Sequence, residues 1–477
     1  MNTIDVDVAV LGAGSAGLTA FRAAGTHTDR ALLIESGQYG TTCARVGCMP
    51  SKLLIAAANV AQGVRDAGRF GIQARLDQVD GQAVLQRLRA ERDRFTGFVV
   101  EQTLAIPEHA RLRGEARFLA ADRLQVGDTM VCARTVVMAT GSRPFIPEVL
   151  QAAGNYLSTS EDVFEWNALP ESVAVVGAGN IGLELGQALH RLGVKVAIFG
   201  RGARAGFLDD PALAARATSL FASELDLRLH CDVVGVDIDH DSDKVLLTWR
   251  QGDGSHAQAR FSRILCATGR VPVLPAGLDQ LGLQCDDRGV PLFDPLTMRC
   301  GESSIFIAGD ASNALPLLHE AVDQGRIAGD NAGAWPQARP GNRHLPLSIA
   351  FTEPQLAQVG LSSKALEGRD VVVGKADFAE QGRSRVMQEN RGALHVYAER
   401  GSGRLLGAQM VGPRAEHLAH LLAWALQMEL TVGQALKMPF YHPVVEESLR
   451  TAFKDARDQM RDPPSPLVHC DDCTPGV

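Results

Sequence analysis

The sequence lacks the features of a membrane-spanning or secreted chain. No apolar run reaches the roughly 18 to 20 residues that a membrane span needs, and residues 1–7 have no basic residue of the kind that opens a signal peptide. The nine cysteines are an odd number scattered over 477 residues. That pattern fits reduced thiols and a catalytic pair better than a secreted disulfide framework. We therefore expect a cytoplasmic protein with no membrane partner.

Excess positive charge is also missing. Lys and Arg number 47 against 55 Asp and Glu, so the formal net charge is −8 at pH 7. An acidic chain is a poor partner for a nucleic-acid backbone, and we expect no nucleic acid to bind. The composition, 45% hydrophobic and 21% charged, excludes a disordered or fibrous chain. The length predicts roughly two to four domains.

A dinucleotide-binding fingerprint opens the chain. A buried parallel strand predicted over residues 6–11 leads into Gly12, Gly14 and Gly17, and a helix follows. These glycines permit the tight turn, the approach of a pyrophosphate and close helix–strand packing. The next strand ends in Glu35, at the distance where a carboxylate accepts ribose hydroxyls.

The same pattern recurs in the second third of the chain. A strand predicted over residues 172–176 leads into Gly177, Gly179 and Gly182. Two fingerprints in one chain indicate two separate dinucleotides, one of them a cofactor and the other an electron donor.

The second fingerprint lacks the ribose-binding carboxylate. Its next strand, residues 194–199, ends in Gly200 and Arg201, with Arg204 close behind. Arginines can accommodate the 2′-phosphate of NADP, whereas a carboxylate favours NAD. The pattern therefore favours NADP, and the alternative is that both arginines are solvated loop charges.

Cys43 and Cys48 follow the first fingerprint and precede a predicted helix. Five residues correspond to roughly 500° of rotation on an ideal helix, so the two sulfurs can meet only if Cys43 lies on a loop or a distorted turn. A place for Cys48 at a helix N-terminus would favour its thiolate. This arrangement indicates a redox disulfide, and the alternative is a pair of unrelated buried thiols.

His442 is the best candidate for a general base. Thiol–disulfide exchange needs a group that moves protons near neutral pH, and imidazole titrates in that range. Glu447, five residues later, could fix the tautomer of the ring and stabilise the imidazolium. A purely structural histidine is the alternative.

Several motifs, in this order, resemble the pyridine nucleotide-disulfide oxidoreductases of class I, which are flavoproteins. The two fingerprints and the cysteine pair are joined by Thr140-Gly141-Ser142-Arg143-Pro144, Ala267-Thr268-Gly269-Arg270-Val271-Pro272 and Ile305-Phe306-Ile307-Ala308-Gly309-Asp310. The resemblance covers residues 5–457, and the run Cys48-Met49-Pro50-Ser51-Lys52 looks most like the dihydrolipoyl dehydrogenase branch.

The resemblance implies the fold class and the domains. It implies an α/β protein with two Rossmann-like domains, for FAD and NAD(P), and a C-terminal α+β dimerisation domain. The expected boundaries are 1–150 with 271–343 for FAD, 151–270 for NAD(P) and 344–461 for the dimerisation domain, with a tail over 462–477.

The resemblance also implies roles for individual residues. Cys48 would face the flavin and Cys43 would exchange with the substrate, and Lys52 and Glu184 would form an ion pair beside the flavin. Further expected cofactor contacts are Thr140, Gly141 and Asp310 for FAD, and Gly269 for NAD(P). His442 would reach the cysteines of the other subunit, so a homodimer would share its active sites.

The expected activity is dithiol–disulfide exchange coupled to NAD(P)(H), with dihydrolipoyl dehydrogenase as the first candidate and lipoamide as the substrate. The alternative is an NADPH-dependent reductase of a disulfide or of mercuric ion that uses Cys470 and Cys473 in the tail as a relay. Asp471 and Asp472 would disfavour thiolates in that tail. Two other interpretations stay open: a binding subunit of a larger dehydrogenase complex, and a flavin transhydrogenase that needs no cysteines.

Overall fold

The computed structural model describes residues 2–460, which form two compact units. The first unit contains residues 2–203 and 225–344, and the second contains residues 204–224 and 345–460. No helix within residues 2–460 has the length and apolarity that crossing a membrane requires.

A seven-stranded sheet forms the first layer of the first unit. Its order is β3-β2-β1-β6-β5-β4, with β17 paired to β6. The strands are β1 (Asn2–Leu11), β2 (Ala31–Glu35), β3 (Arg111–Arg113), β4 (Ala116–Ala120), β5 (Arg123–Val126), β6 (Thr129–Met138) and β17 (Ile305–Ile307). β1 lies at the centre because Val8, Ala9 and Val10 are fully buried apolar residues, as in a parallel strand covered on both faces.

A second sheet in the first unit is parallel throughout, in the order β11-β10-β9-β15-β8. Its strands are β8 (Leu157–Thr159), β9 (Ser172–Val176), β10 (Lys195–Phe199), β11 (Asp226–Arg228) and β15 (Arg263–Cys266). An antiparallel sheet of β12 (Asp232–Asp239), β13 (Lys244–Arg250) and β14 (His256–Phe261) and a ribbon of β7 (Ser142–Pro144) and β16 (Arg270–Pro272) complete the strands of this unit.

Helices connect these strands and carry most of the predicted site residues. They are α1 (Ser15–Ala24), α2 (Thr42–Val46), α3 (Cys48–Asp66), α4 (Gly81–Leu104), α5 (Glu148–Gln151), α6 (Asn180–Arg191) and α8 (Leu318–Gly333). In both parallel sheets, a strand leads through a glycine turn into a helix, β1 into α1 and β9 into α6. Both predicted Rossmann-like folds are therefore confirmed.

The second unit is an antiparallel sheet with helices, in the order β18-β19-β22-β21-β20. Its strands are β18 (Leu347–Ala350), β19 (Gln355–Gly360), β20 (Val371–Asp377), β21 (Ala393–Glu399) and β22 (Leu405–Gly412), and its helices are α7 (Pro211–Ala222), α9 (Gly382–Val386), α10 (Ala415–Gln427), α11 (Val432–Ala435) and α12 (Glu447–Met460). The helices α10 and α12 bury Leu418, Leu422 and Phe453 in the core of this unit. This is the predicted α+β fold; the exact domain boundaries stay a prediction.

Candidate functional site

The first fingerprint forms a tight turn that only glycine permits. Gly12 has φ +103°, and a Cβ there would lie 2.3 Å from the carbonyl oxygen of Ala139. A Cβ at Gly17 would lie 1.8 Å from the carbonyl oxygen of Gly12, whereas Gly14 faces open space. The backbone at Gly14 is thus free to approach a pyrophosphate at the start of α1.

Glu35 closes the cleft above this turn. Its carboxylate accepts hydrogen bonds from the backbone N–H groups of Ala13, at 2.6 Å, and Gly37, at 2.7 Å. The cleft has a volume of about 230 Å³ and opens to solvent, and Thr140 and Gly141 also line it. Cleft, glycines and carboxylate together suit the adenosine and pyrophosphate of a dinucleotide.

Asp310 follows β17 at the start of a short turn. One of its oxygens accepts a hydrogen bond from Ser142 Oγ at 2.6 Å, and Arg270 Nε donates to that same hydroxyl at 2.7 Å. Helix α8, which begins at Leu318, has no side-chain cap at its N-terminus, so its first N–H groups are directed at that end of the helix without a side-chain acceptor. These groups fit the polar parts of FAD.

The second fingerprint repeats the first turn. Gly177 has φ +121°, and a Cβ there would lie 2.2 Å from the carbonyl oxygen of Ala267. A Cβ at Gly182 would lie 1.9 Å from the carbonyl oxygen of Gly177, and Gly179 faces open space. Gly269, in the nearby crossover, has φ +112° and open space beside its Cα.

The end of β10 has no room for a carboxylate. A Cβ at Gly200 would lie 2.8 Å both from the Cβ of Ala178 and from Cδ2 of Leu229. Arg201 is exposed in the first unit, and Arg204 is exposed in the second unit.

The two predicted redox cysteines lie on two successive helices. Cys43 is in α2, which ends before Gly47, and Cys48 is the first residue of α3. The helical path is interrupted at Gly47, between the two helices, where a Cβ would lie 2.9 Å from the carbonyl oxygen of Thr42. This break changes the direction of the chain, so the sulfurs meet although they are out of register on one helix.

Both cysteines are thiols in this structure, Cys43 half-buried and Cys48 exposed. A hydrogen bond from Cys43 and the charge of Lys52 lower the pKa of Cys48 to about 7. The hydrogen bond to Cys48 and burial raise the pKa of Cys43. Of the two thiols, Cys48 is therefore the one that ionises more readily, and Cys43 is the one that keeps its proton.

Polar contacts join α3 to α6. Lys52 Nζ lies 2.7 Å from Glu184 Oε2, which is the ion pair expected from the resemblance. Two turns further along α3, Asn59 accepts a hydrogen bond from the buried Arg191 at 2.9 Å. Arg65 then donates to the backbone carbonyl of Arg191. The helix that follows the cysteines and the helix that follows the second fingerprint are thereby fixed against each other.

His442 and Glu447 lie in the second unit, at the start of α12. Nδ1 of His442 is 3.1 Å from Glu447 Oε1, and the other carboxylate oxygen accepts the N–H of Val444. The imidazole is 61% exposed while the carboxylate is 24% exposed. Glu447 thus holds one ring nitrogen, and the other is free to meet a substrate.

The sequence did not indicate several residues that support this site. Ser142 and Arg270 stand inside the crossover motifs, and their partner Asp310 was predicted, so the motif spacing held a signal for them. The contact between Asn59 and Arg191 has no sequence signal, because the two residues are 132 positions apart and lie in no motif. Cys470 and Cys473 lie outside the described residues.

Comparison with known proteins shows the family. Residues 6–325 match the family "Pyridine nucleotide-disulphide oxidoreductase", and residues 347–453 match its dimerisation domain. The chain is 31% identical to a mycothione reductase of Mycobacterium tuberculosis (H37Rv), over 96% of this chain and 100% of the relative. It is 30% identical to a dihydrolipoyl dehydrogenase of Halobacterium salinarum, over 94% and 96% respectively, and 30% identical to a mercuric reductase of Shigella flexneri, over 93% and 80%.

The fold is shared with solved structures. The structure of LpdA from Mycobacterium tuberculosis superposes with a TM-score of 0.81 at 23% identity, covering 96% of this chain and 100% of the other. The family expected from the motifs is confirmed, as are its cofactors, and the dimerisation domain indicates a homodimer. The chain belongs to the pyridine nucleotide-disulphide oxidoreductases, flavoprotein enzymes that use FAD and NAD(P).

Proposed function

We propose that the protein passes two electrons between NAD(P)(H) and an external dithiol or disulfide through Cys43 and Cys48. The observation that carries this proposal is the placement of two thiols at the junction of α2 and α3, Cys43 within α2 and Cys48 at the first position of α3, with Lys52 one turn further on. When bound, FAD supplies the two-electron chemistry that links the nicotinamide to this pair. Cys43 and Cys48 then carry the exchange with the substrate.

The exchange proceeds through a mixed disulfide with the substrate. A thiolate of the external dithiol attacks Cys43 Sγ in the Cys43–Cys48 disulfide, and Cys48 leaves as a thiolate. The second substrate thiol, deprotonated by the His442 that we expect the other subunit to contribute, attacks the substrate sulfur of the mixed disulfide. Oxidised substrate leaves, and His442 returns the proton to the departing Cys43 sulfur. Glu447 keeps His442 oriented and stabilises its charged form. Reduction of a disulfide takes the same steps in reverse.

Dihydrolipoamide is the first substrate to test. A dihydrolipoyl dehydrogenase is among the relatives, but a mycothione reductase and a mercuric reductase match equally well. The similarity therefore supports the reaction class without choosing among a dithiol, a disulfide and mercuric ion as the substrate.

A second candidate, an NADPH-dependent reductase of a disulfide or of mercuric ion, is favoured by the end of β10. Gly200 is packed against Ala178 and Leu229, and no carboxylate stands there to bind a free 2′-hydroxyl. Arg201 follows directly and is exposed. An arginine at this place suits the 2′-phosphate of NADP.

Steady-state assays on the FAD-loaded enzyme test both candidates. NADH and NADPH are compared against lipoamide, small disulfides and mercuric ion, and NAD and NADP against dihydrolipoamide. Turnover of dihydrolipoamide with NAD supports the first candidate, and turnover confined to NADPH with another acceptor supports the second.

Cys43→Ser tests the proposal common to both. We expect this variant to lose turnover with every acceptor, while Cys132→Ser, at another half-buried thiol, keeps it. Full turnover by Cys43→Ser would exclude disulfide chemistry and leave hydride exchange between nucleotides as the activity. Protein without flavin absorbance would instead favour a binding role.

A further inference from the structure

Helix α2, which carries Cys43, is too short to hold its own position. It has five residues, fewer than an isolated helix needs for stability in water. Its N-terminus is capped by the Thr41 side chain, which accepts the N–H of Ala44, whereas the structure shows no capping hydrogen bond from Gly47, the residue that follows the helix. The carbonyls of its last turn therefore need partners from outside the helix.

Helix α4 supplies one such partner. The buried Arg92 donates from Nη1 to the carbonyl oxygen of Arg45, in the last turn of α2, at 3.4 Å. A guanidinium at this end of a helix also interacts favourably with the helix dipole.

Arg92 is itself held by carboxylates. Its Nη1 also donates to Glu165 Oε1, and its Nε donates to Asp93 Oδ1, both at 2.5 Å. These partners offset the cost of burying the charge and fix the direction of the guanidinium.

The same face of α4 contacts the other end of α2. Thr96, one turn after Arg92, packs beside Gly40, where a Cβ would lie 2.6 Å from Thr96 Cγ2. Arg92 and Thr96 thus contact the chain on both sides of the residue that must present its thiol to Cys48.

We propose that Arg92 is a positioning residue for the redox pair: by fixing the C-terminal turn of α2, it holds the Cys43 thiol against the Cys48 sulfur. This inference rests on the proposed function of the two cysteines. Without Arg92, α2 shifts, the hydrogen bond between the sulfurs weakens, and Cys48 loses the donor that stabilises its thiolate.

The test is the pH dependence of alkylation in the reduced, FAD-loaded enzyme, followed separately for Cys43 and Cys48 by mass spectrometry with iodoacetamide. We expect Arg92→Gln to slow alkylation of Cys48 at pH 7 by about threefold or more and to speed that of Cys43, because the first loses its thiolate and the second its hydrogen bond. Arg92→Lys keeps the positive charge but loses the planar set of N–H donors, so its alkylation rates should lie between those of the parent enzyme and Arg92→Gln.

Arg89→Gln is the matched control. Arg89 lies one turn earlier on α4 and donates to the backbone carbonyls of Phe164 and Trp166, beside Glu165, but its hydrogen bonds do not reach α2. It removes a bond of α4 to the same segment and leaves Arg92 in place. If Arg92→Gln folds poorly, Glu165→Gln is the substitute, because it removes a charged partner of Arg92 and keeps Arg92 itself. It should also slow alkylation of Cys48 and speed alkylation of Cys43, but by less than Arg92→Gln does.

The outcomes distinguish the role of Arg92 from the function of the cysteines. Full turnover by Cys43→Ser would contradict the proposed function, whereas equal alkylation profiles for Cys43 and Cys48 in the parent enzyme would contradict the hydrogen bond between them, and with it the role of Arg92. Distinct profiles that Arg92→Gln leaves unchanged, or that Arg89→Gln changes as much, would overturn the role of Arg92 alone.

Discussion

The two fingerprints of this chain share one backbone geometry and differ in the residue at the end of the next strand. In each, the first glycine has a positive φ and its missing Cβ would collide with a crossover carbonyl, of Ala139 at Gly12 and of Ala267 at Gly177. The middle glycine of each faces open space. Both turns can therefore hold a pyrophosphate at a helix N-terminus.

The next strand ends differently in the two folds. β2 ends in Glu35, whose carboxylate bonds the N–H of Ala13 inside the turn, while β10 is followed by Gly200, packed against Ala178 at the matching place. We propose that the glycines fix where the phosphates bind and that the residue at or just after the end of the second strand selects between a free and a phosphorylated ribose hydroxyl. One turn geometry thus serves two dinucleotides.

The largest effects are expected from substitutions of the first glycine in each fingerprint, because each should abolish binding of one dinucleotide only. Gly12→Ala places a methyl group on the carbonyl of Ala139, so we expect protein purified without FAD. Gly177→Ala should keep its FAD but lose reduction by nicotinamide, by about 100-fold or more if the strain is about 3 kcal/mol. Flavin absorbance and rapid-mixing kinetics measure both, and loss of FAD from Gly177→Ala would contradict the assignment.

The next largest effect is expected at the second fingerprint, on binding of the ribose 2′-phosphate of NADPH. Arg201→Gln should raise the KM for NADPH about tenfold or more, because a charge-assisted hydrogen bond is worth about 1.5–3 kcal/mol, and leave the KM for NADH unchanged. Arg250→Gln, at an exposed arginine of β13, should change neither. An unchanged KM for NADPH in Arg201→Gln would make Arg201 a solvated loop charge.

A smaller effect is expected at the first fingerprint, where Glu35 is predicted to bind the ribose of FAD. Glu35→Gln keeps one acceptor oxygen but removes the charge that strengthens its bonds to the turn, so FAD should bind about fivefold to tenfold more weakly. Flavin fluorescence during dialysis or dilution gives the dissociation constant. No change in FAD affinity would separate Glu35 from the cofactor.

The smallest effect is expected when the carboxylate of the first fold is copied into the second, at Gly200. Gly200→Glu alone should not improve the KM for NADH, because its Cβ meets Ala178, and should weaken both nucleotides about threefold. Gly200→Glu with Ala178→Gly relieves the contact with Ala178 and leaves one with Cδ2 of Leu229, the end of a side chain that can shift, so we expect the ratio of KM values to move toward NADH. A clear gain for NADH from Gly200→Glu alone would show that the packing does not exclude a carboxylate.

Much of the fold is predictable from the local pattern. The strand predicted at residues 172–176 is β9 with the same bounds, because a short apolar run before a glycine turn has few other solutions. β1 extends to Asn2, further than its apolar run, because it pairs with β6 as far as Thr129. Pairing partners distant in sequence leave no local signal.

The site was predictable where a motif carried it and unpredictable where contacts did. The ion pair of Lys52 and Glu184 joins residues that two motifs had singled out. The break at Gly47 depends on backbone angles, and the contact of Arg92 with Arg45 depends on how two helices pack. The five-residue spacing of the cysteines required Cys43 to lie off the helix of Cys48, but it did not place the interruption at Gly47, and no spacing indicates the contact of Arg92.

The most direct test of electron transfer through the cysteine pair is a thiol titration of the FAD-loaded enzyme across pH. After anaerobic reduction with NADPH, Cys43 and Cys48 should become available to iodoacetamide together, two thiols for each pair of electrons taken up. The alkylation rate of Cys48 should rise through about pH 7, since its lowered pKa makes the thiolate dominant above that value, while Cys43 reacts as a thiolate only at much higher pH. Reduction that exposes neither thiol would contradict electron transfer through this pair, and two cysteines that titrate together near pH 9 would contradict the hydrogen bond between them.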